Sequence, residues 1–149
     1  MILLVCTGNT CRSPLAAAYL DSITGEDVQV LSAGLMAFDD MPASEYSKKV
    51  AEEAGLDISK HKSKQVTQNL VKSAGLILTM TKAHKNTLLN TFPESKGKVY
   101  TLKEHSMLYN KDKRTSKSYD ITDPFGRTKE EYMECFQEIK ESLQHLGKK

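Results

Sequence analysis

The sequence predicts a single-domain α/β fold over residues 1–149: a doubly wound sheet of four parallel strands flanked by helices. Three observations point there. Short, uninterrupted apolar runs such as residues 2–5 and 76–78 have the pattern of strands buried on both faces. Segments with helical spacing separate these runs, so strand and helix alternate along the chain. The 149 residues, 39% hydrophobic and 27% charged, suffice for one cored domain, with no internal repeat, low-complexity tract or domain boundary.

Residues 2–5 form the first strand. After a polar loop, Ser13-Pro14 reads as a helix start, with serine as cap and proline in the first turn, and Leu15, Ala16 and Tyr19 supply its apolar face. Residues 28–35 alternate Val28, Val30 and Ala33 as a second strand. Residues 42–54 read as a helix with Tyr46, Val50 and Ala54 on one face, ended by Gly55. Thr67 caps a short helix through Ala74, and Leu76-Ile77-Leu78 is the third strand. Residues 81–92 are helical, with Leu88 and Phe92 on one face and Pro93 as the stop. Residues 99–102 make the fourth strand. Residues 104–120 read as a polar, mobile loop whose Lys111, Lys113, Arg114 and Lys117 form solvated surface. The last helix opens on the capping-box pattern Thr128-Lys129-Glu130-Glu131. Tyr132, Cys135, Phe136, Ile139, Leu143 and Leu146 line its buried face.

Composition narrows the function. A net charge of +2, with lysines and acids interspersed, offers no basic stripe for nucleic acid. No apolar run approaches the ~18 residues of a membrane span, and the N-terminus lacks the pattern of a signal peptide. Three cysteines do not make a disulfide framework, which points to a reducing cytoplasm, and a monomer is expected. The four histidines, at 61, 84, 105 and 145, show no metal-ligand spacing with carboxylates, so neither metal nor cofactor is expected.

Chemistry concentrates in Val5-Cys6-Thr7-Gly8-Asn9-Thr10-Cys11-Arg12-Ser13-Pro14. Ligands of open α/β sheets sit beyond the carboxyl ends of strands, beside helix N-termini, and this loop occupies such a place. Successive N–H groups of residues 7–12 can point inward as an anion-binding nest, with Gly8 and Asn9 suited to left-handed backbone angles. The loop lacks the Gly-Lys-Ser/Thr ending of a nucleotide P-loop. It has instead Cys6, five residues, then Arg12. Thiolate is the nucleophilic form of cysteine, and inward N–H groups, a guanidinium and a helix N-terminus all favour an anion. Arg12 offers a planar fork for two phosphate oxygens, which lysine cannot. Ser13 is placed both to cap the helix and to bond the Cys6 sulfur. The bland alternative, a buried structural cysteine, leaves Arg12 and the nest without a purpose.

This loop, at the N-terminal end of the chain and followed by Ser-Pro, resembles the signature of the low-molecular-weight protein phosphatases. Asp123-Pro124-Phe125-Gly126 is similar to that family's acid loop, and Ser32-Ala33-Gly34, Leu78-Thr79-Met80-Thr81 and Thr101-Leu102-Lys103-Glu104 extend the resemblance along the chain. Alone, Asp123-Pro124 would be read as a turn. The resemblance implies a two-step, metal-free hydrolysis of phosphorylated proteins. Cys6 attacks phosphorus to form a cysteinyl-phosphate. Asp123 protonates the leaving atom and then activates water, while Arg12 and the N–H groups of Thr7, Gly8, Asn9, Thr10, Cys11 and Arg12 hold the phosphate oxygens.

The leaving group is read from Thr10 and Phe125. Tyrosine-specific members carry a larger apolar residue at the place of Thr10 and Asp-Pro-Tyr in the acid loop, so the resemblance favours the protein arginine phosphatases. A threonine hydroxyl, the flat face of Phe125 and the charge of Asp123 suit a guanidinium. Phosphotyrosine stays as the alternative. Arsenate reduction needs a downstream cysteine pair, whereas only Cys135 remains, on an apolar helix face. A non-catalytic phosphoprotein-binding module would have no use for Asp123. The resemblance also implies that Cys11 can form a disulfide with oxidised Cys6, protecting it. As a plain loop residue, Cys11 supplies only a backbone N–H.

Overall fold

The computed structural model describes residues 1–109 and 118–147. Four parallel strands lie in the order β2-β1-β3-β4: β1 (Ile2–Cys6), β2 (Val30–Gly34), β3 (Leu76–Thr79) and β4 (Val99–Thr101). The connections are α1 (Arg12–Ile23), α2 (Glu45–Glu53), α3 (Gln68–Ser73), α4 (Lys82–Thr91) and α5 (Leu102–Tyr109), and α6 (Lys129–Leu143) closes the fold. The chain steps from β1 to one side to make β2 and to the other to make β3. The crevice at this reversal, beyond the ends of β1 and β3, is where ligands of such sheets bind.

The alternating side chains of β1 divide the core. Leu4 and Cys6 face a cluster built with Leu15 and Leu20 of α1, Val50 and Ala51 of α2, and Phe136, Ile139 and Leu143 of α6. Leu3 and Val5 face the opposite layer, with Val71, Ala74, Leu88 and Val99 under α3 and α4. The final helix packs as its periodicity predicts: Tyr132, Cys135, Phe136, Ile139 and Leu143 are buried. Leu146 lies in a following 3-10 turn, partly buried against the same cluster. The caps expected at Thr67 and Thr128 form, and Thr81 caps α4 in the same way. Among the described residues no helix is long and apolar enough to cross a membrane.

Four expectations are corrected. The second helix starts later than residue 42 and turns a different face inward, burying Ser47, Val50 and Ala51. The Ser44 N–H is taken by the Thr10 carbonyl at 2.9 Å, which holds the entry extended. Tyr46 stays exposed, its ring in an edge contact with Tyr132, and Ala54 is the exposed C-cap. Residues 104–109, expected as loop, and Leu102, expected in the fourth strand, belong to a helix, because Thr101 and Glu104 form a reciprocal capping box: Glu104 N–H donates to Thr101 Oγ1 at 3.0 Å and Thr101 N–H to Glu104 Oε1 at 2.9 Å. Lys111, Lys113, Arg114 and Lys117 lie outside the described residues. Ser13 is not a cap; Cys11 holds that position without a side-chain capping hydrogen bond, and Ser13 lies inside the first turn with Pro14 after it. Of the two residues suited to left-handed angles, only Asn9 uses one, at φ 60°, while Gly8 does not.

Candidate active site

β1 ends at Cys6, whose side chain is 2% exposed, and the chain turns at once into the loop that precedes α1. Close approach of this loop to β2 requires Gly34, where a Cβ would stand 2.4 Å from the Thr7 carbonyl oxygen. The backbone of the segment after β2 then grips the loop: Leu35 N–H donates to Cys6 O at 3.0 Å and Met36 N–H to Thr7 O at 2.9 Å.

Asn9 is the hub, a role that sequence reasoning missed beyond its backbone angle. Its Nδ2 donates to Ser13 Oγ at 2.7 Å and to Ser32 Oγ at 3.0 Å, and its Oδ1 accepts from Lys64 N–H at 3.0 Å. Its carbonyl can only accept, so His61 Nε2, 2.7 Å away, carries the proton. His61 titrates below the ordinary histidine range because it is buried. Ser13 Oγ accepts from Asn9, which leaves its own proton free to point at Cys6 Sγ, 2.9 Å away. Asn9 N–H adds a second donor to that sulfur at 3.2 Å. Both contacts favour negative charge on Sγ. No side chain caps α1, so its first N–H groups have no capping acceptor.

Arg12 is 4% exposed. Its Nη1 donates to the Ile121 carbonyl at 2.8 Å, and its Nη2 lies 3.7 Å from Asp123 Oδ2. Ile121 N–H in turn donates to Met80 O at 2.8 Å, which lays the segment before Asp123 across the end of β3. Asp123 Oδ1 accepts from Phe125 N–H at 3.0 Å, and Gly126 takes φ 77°, so Asp123-Pro124-Phe125-Gly126 is a locally bonded turn. The Phe125 ring is 71% exposed. The structure thus brings Cys6, Arg12, Ser13 and Asp123 to one crevice, with Thr10 half-buried in the loop. Among the described residues no cluster of three or more metal-ligating side chains occurs.

Cys11 is buried, with Sγ 3.6 Å from Ser44 Oγ and 3.5 Å from the Tyr132 hydroxyl. Burial pushes the Tyr132 hydroxyl up to about 12, with the Cys11 contact adding to it. All three cysteines are free thiols. Burial on the apolar face of α6 pushes Cys135 up to about 12, which suits packing and not thiol relay.

The chain belongs to the low molecular weight phosphotyrosine protein phosphatase family, whose model matches residues 1–149. It is 38% identical over 148 residues to a protein-arginine-phosphatase of Geobacillus stearothermophilus, covering 99% of this chain and 94% of that protein. The solved structure of an arginine phosphatase from that organism superposes with a TM-score of 0.87 at 38% identity, covering 97% of this chain and 88% of the other. The low molecular weight protein-tyrosine-phosphatase Wzb of Escherichia coli (strain K12) is 35% identical over 131 residues, 88% of this chain and 82% of Wzb. The chain is accordingly a protein phosphatase, and its sheet and loop architecture is that of the family.

Buried histidines make this fold acid-sensitive. Burial, then the Arg12 charge, pushes His84 down to about 4, and burial, then His105, does the same to His145. Both folded values lie below the unfolded one, so their contribution is present above pH ~6.5 and is lost as pH falls toward 4. Urea unfolding is expected to show lower stability at pH 5 than at pH 7, more of it from the buried His84 than from the half-buried His145, and a flat profile would contradict it.

Proposed function

We propose that the protein hydrolyses phosphoarginine in phosphorylated proteins through a cysteinyl-phosphate on Cys6. The observation that carries this reading is the Cys6 sulfur, which receives Asn9 N–H and lies beside Ser13 Oγ within a loop closed by Arg12 and faced by Asp123. In the first step the sulfur lone pair forms the S–P bond, the P–N bond to the guanidinium breaks, and the Asp123 carboxyl proton goes to the leaving nitrogen. In the second step Asp123 takes a proton from water, the water oxygen bonds phosphorus, and the S–P bond breaks to return thiolate and inorganic phosphate. Arg12 and the backbone N–H groups of Thr7, Gly8, Asn9, Thr10, Cys11 and Arg12 hold the equatorial oxygens throughout. None of these steps calls on a cofactor. The three free thiols support a reducing, cytoplasmic setting, and we take the working form to be a monomer.

The arginine phosphatase relatives support the guanidinium as leaving group, and so do Thr10 and the exposed flat face of Phe125. Phosphotyrosine is the second reading, supported by the similarity to Wzb. Parallel turnover of a phosphoarginine and a phosphotyrosine peptide separates them. Thr10→Ile is expected to move the ratio of kcat/KM values toward phosphotyrosine by about ten- to a hundredfold. The branched apolar side chain offers no hydroxyl to a guanidinium but gives a phenol ring contact area. An unchanged ratio would remove Thr10 as the discriminator.

Cys11 carries a second expectation. Peroxide converts Cys6 to a sulfenic acid, and the Cys11 thiol condenses with it to a disulfide, releasing water. Recovery with thiol should be nearly complete in the native protein and poor in Cys11→Ser, with a Cys6–Cys11 link found by peptide mapping. Equal recovery of the two proteins would leave Cys11 with its backbone N–H alone.

A further inference from the structure

Two hydrogen bonds leave the first turn of α4, one for each half of the crevice. His84, capped by Thr81 Oγ1 at its backbone N–H, lies with Nε2 2.8 Å from Thr7 Oγ1. The Lys82 N–H donates to Asp120 Oδ1 at 2.8 Å, three residues before Asp123. A helical turn is a stiff piece, so these bonds set the phosphate loop and the acid loop against one common support. His84, Thr7, Arg12, Asp120 and Asp123 border the same cavity of about 520 Å3.

We propose that His84 is a positioning residue of this phosphatase: through Thr7 it fixes the start of the phosphate loop, while Asp120 registers the acid loop on the same turn of α4. This rests on the reading of residues 6–12 as the phosphate cradle and Asp123 as the proton donor. The loop needs such a hold on this side. The Thr7 carbonyl is gripped by Met36 N–H, and because the peptide is planar that bond also aims the Gly8 N–H. The Thr7 side chain is restrained from the other side by His84. Burial and the neighbouring Arg12 keep the His84 ring neutral at working pH, so it acts as a hydrogen-bond partner and not as a second cation. Its Nδ1 is buried without a hydrogen-bond partner among the described residues. A phenyl ring would fill the same space without that cost, so packing alone does not account for a histidine here.

The test uses the full chain with orthovanadate as phosphate mimic, and turnover of nitrophenyl phosphate and phenyl phosphate. Neither probe depends on whether arginine or tyrosine is the natural substrate. His84→Phe should weaken orthovanadate about five- to tenfold, the scale of one buried hydrogen bond, and slow both aryl phosphates by the same factor. His84→Gln, which can still bond Thr7, should recover most of the loss. His84→Phe with Thr7→Val should be no worse than the poorer single variant, since both remove one bond. Asp120→Ala should instead change the ratio of the two aryl phosphates while orthovanadate binds as before. A folded His84→Phe protein with native orthovanadate affinity, or losses that multiply in the double variant, would overturn the proposal. If His84→Phe does not fold, native affinity in Thr7→Val overturns it equally. Competitive inhibition by orthovanadate in the native protein would still stand in these cases, leaving the phosphatase reading intact.

Discussion

Cys6→Ser is expected to lower kcat by at least about 10^4 while phosphate still binds. The two groups that touch the sulfur, Ser13 Oγ and Asn9 N–H, are placed as hydrogen-bond donors. Donors of this kind stabilise a thiolate that already exists. They do not remove a proton from a hydroxyl, which holds its proton far more tightly than a thiol. An alkoxide is also the worse leaving group when water must expel it from phosphorus. The remaining loop is unaffected by the exchange: Gly34 still admits it, Asn9 keeps its bonds to Ser32 and Lys64, and Arg12 keeps the Ile121 carbonyl. Binding by calorimetry should therefore stay within a few-fold of native. Near-native turnover by a folded Cys6→Ser protein would end the covalent mechanism.

Asp123→Asn is the second large effect, and its signature is selective. The amide oxygen can still accept the Phe125 N–H, so the turn that presents residue 123 persists. What is lost is the transferable proton and the charge 3.7 Å from Arg12. Substrates whose leaving atom must be protonated should slow by about 10^2- to 10^4-fold. Nitrophenyl phosphate, whose leaving group departs as a stable anion, should slow much less. Anion affinity should hold or rise slightly, because a negative charge beside the phosphate site has gone. An equal loss for activated and unactivated substrates would remove Asp123 from the acid role.

Much of the site was legible because its parts are consecutive in the chain. Cys6 and Arg12 are spaced by the loop itself, and Ser13-Pro14 marks the helix that follows. One further element is legible: Thr101-x-x-Glu104 is a capping-box pattern, and it starts the helix that the polarity of residues 104–120 conceals. The face of α2 was misread for a different reason. Tyr46 and Ala54 fit the helical period as well as Ser47 and Ala51 do, and hydrophobicity favours the wrong pair. Ser47 is buried because its hydroxyl donates to the Cys11 carbonyl at 3.1 Å, a contact between segments 36 residues apart. The Ser13–Cys6 contact is legible in the sequence, but nothing local to Ser13 says that its hydroxyl does not also cap the helix.

By itself, then, the sequence determined the alternation of strands and helices, the nucleophile and arginine in one loop, and the caps at Thr67 and Thr128. These depend on backbone preferences and side-chain spacing within a few residues of one another. Only the tertiary structure decided that Asn9 bonds Ser13, Ser32, His61 and Lys64, that Gly34 makes room for the loop, and that α4 bonds both Thr7 and Asp120. Apart from the Asn9–Ser13 bond, those contacts join residues 23 to 77 positions apart. Polar side chains carry no periodic signal for such partners. A buried hydrogen bond declares itself only when the sheet has brought both ends together.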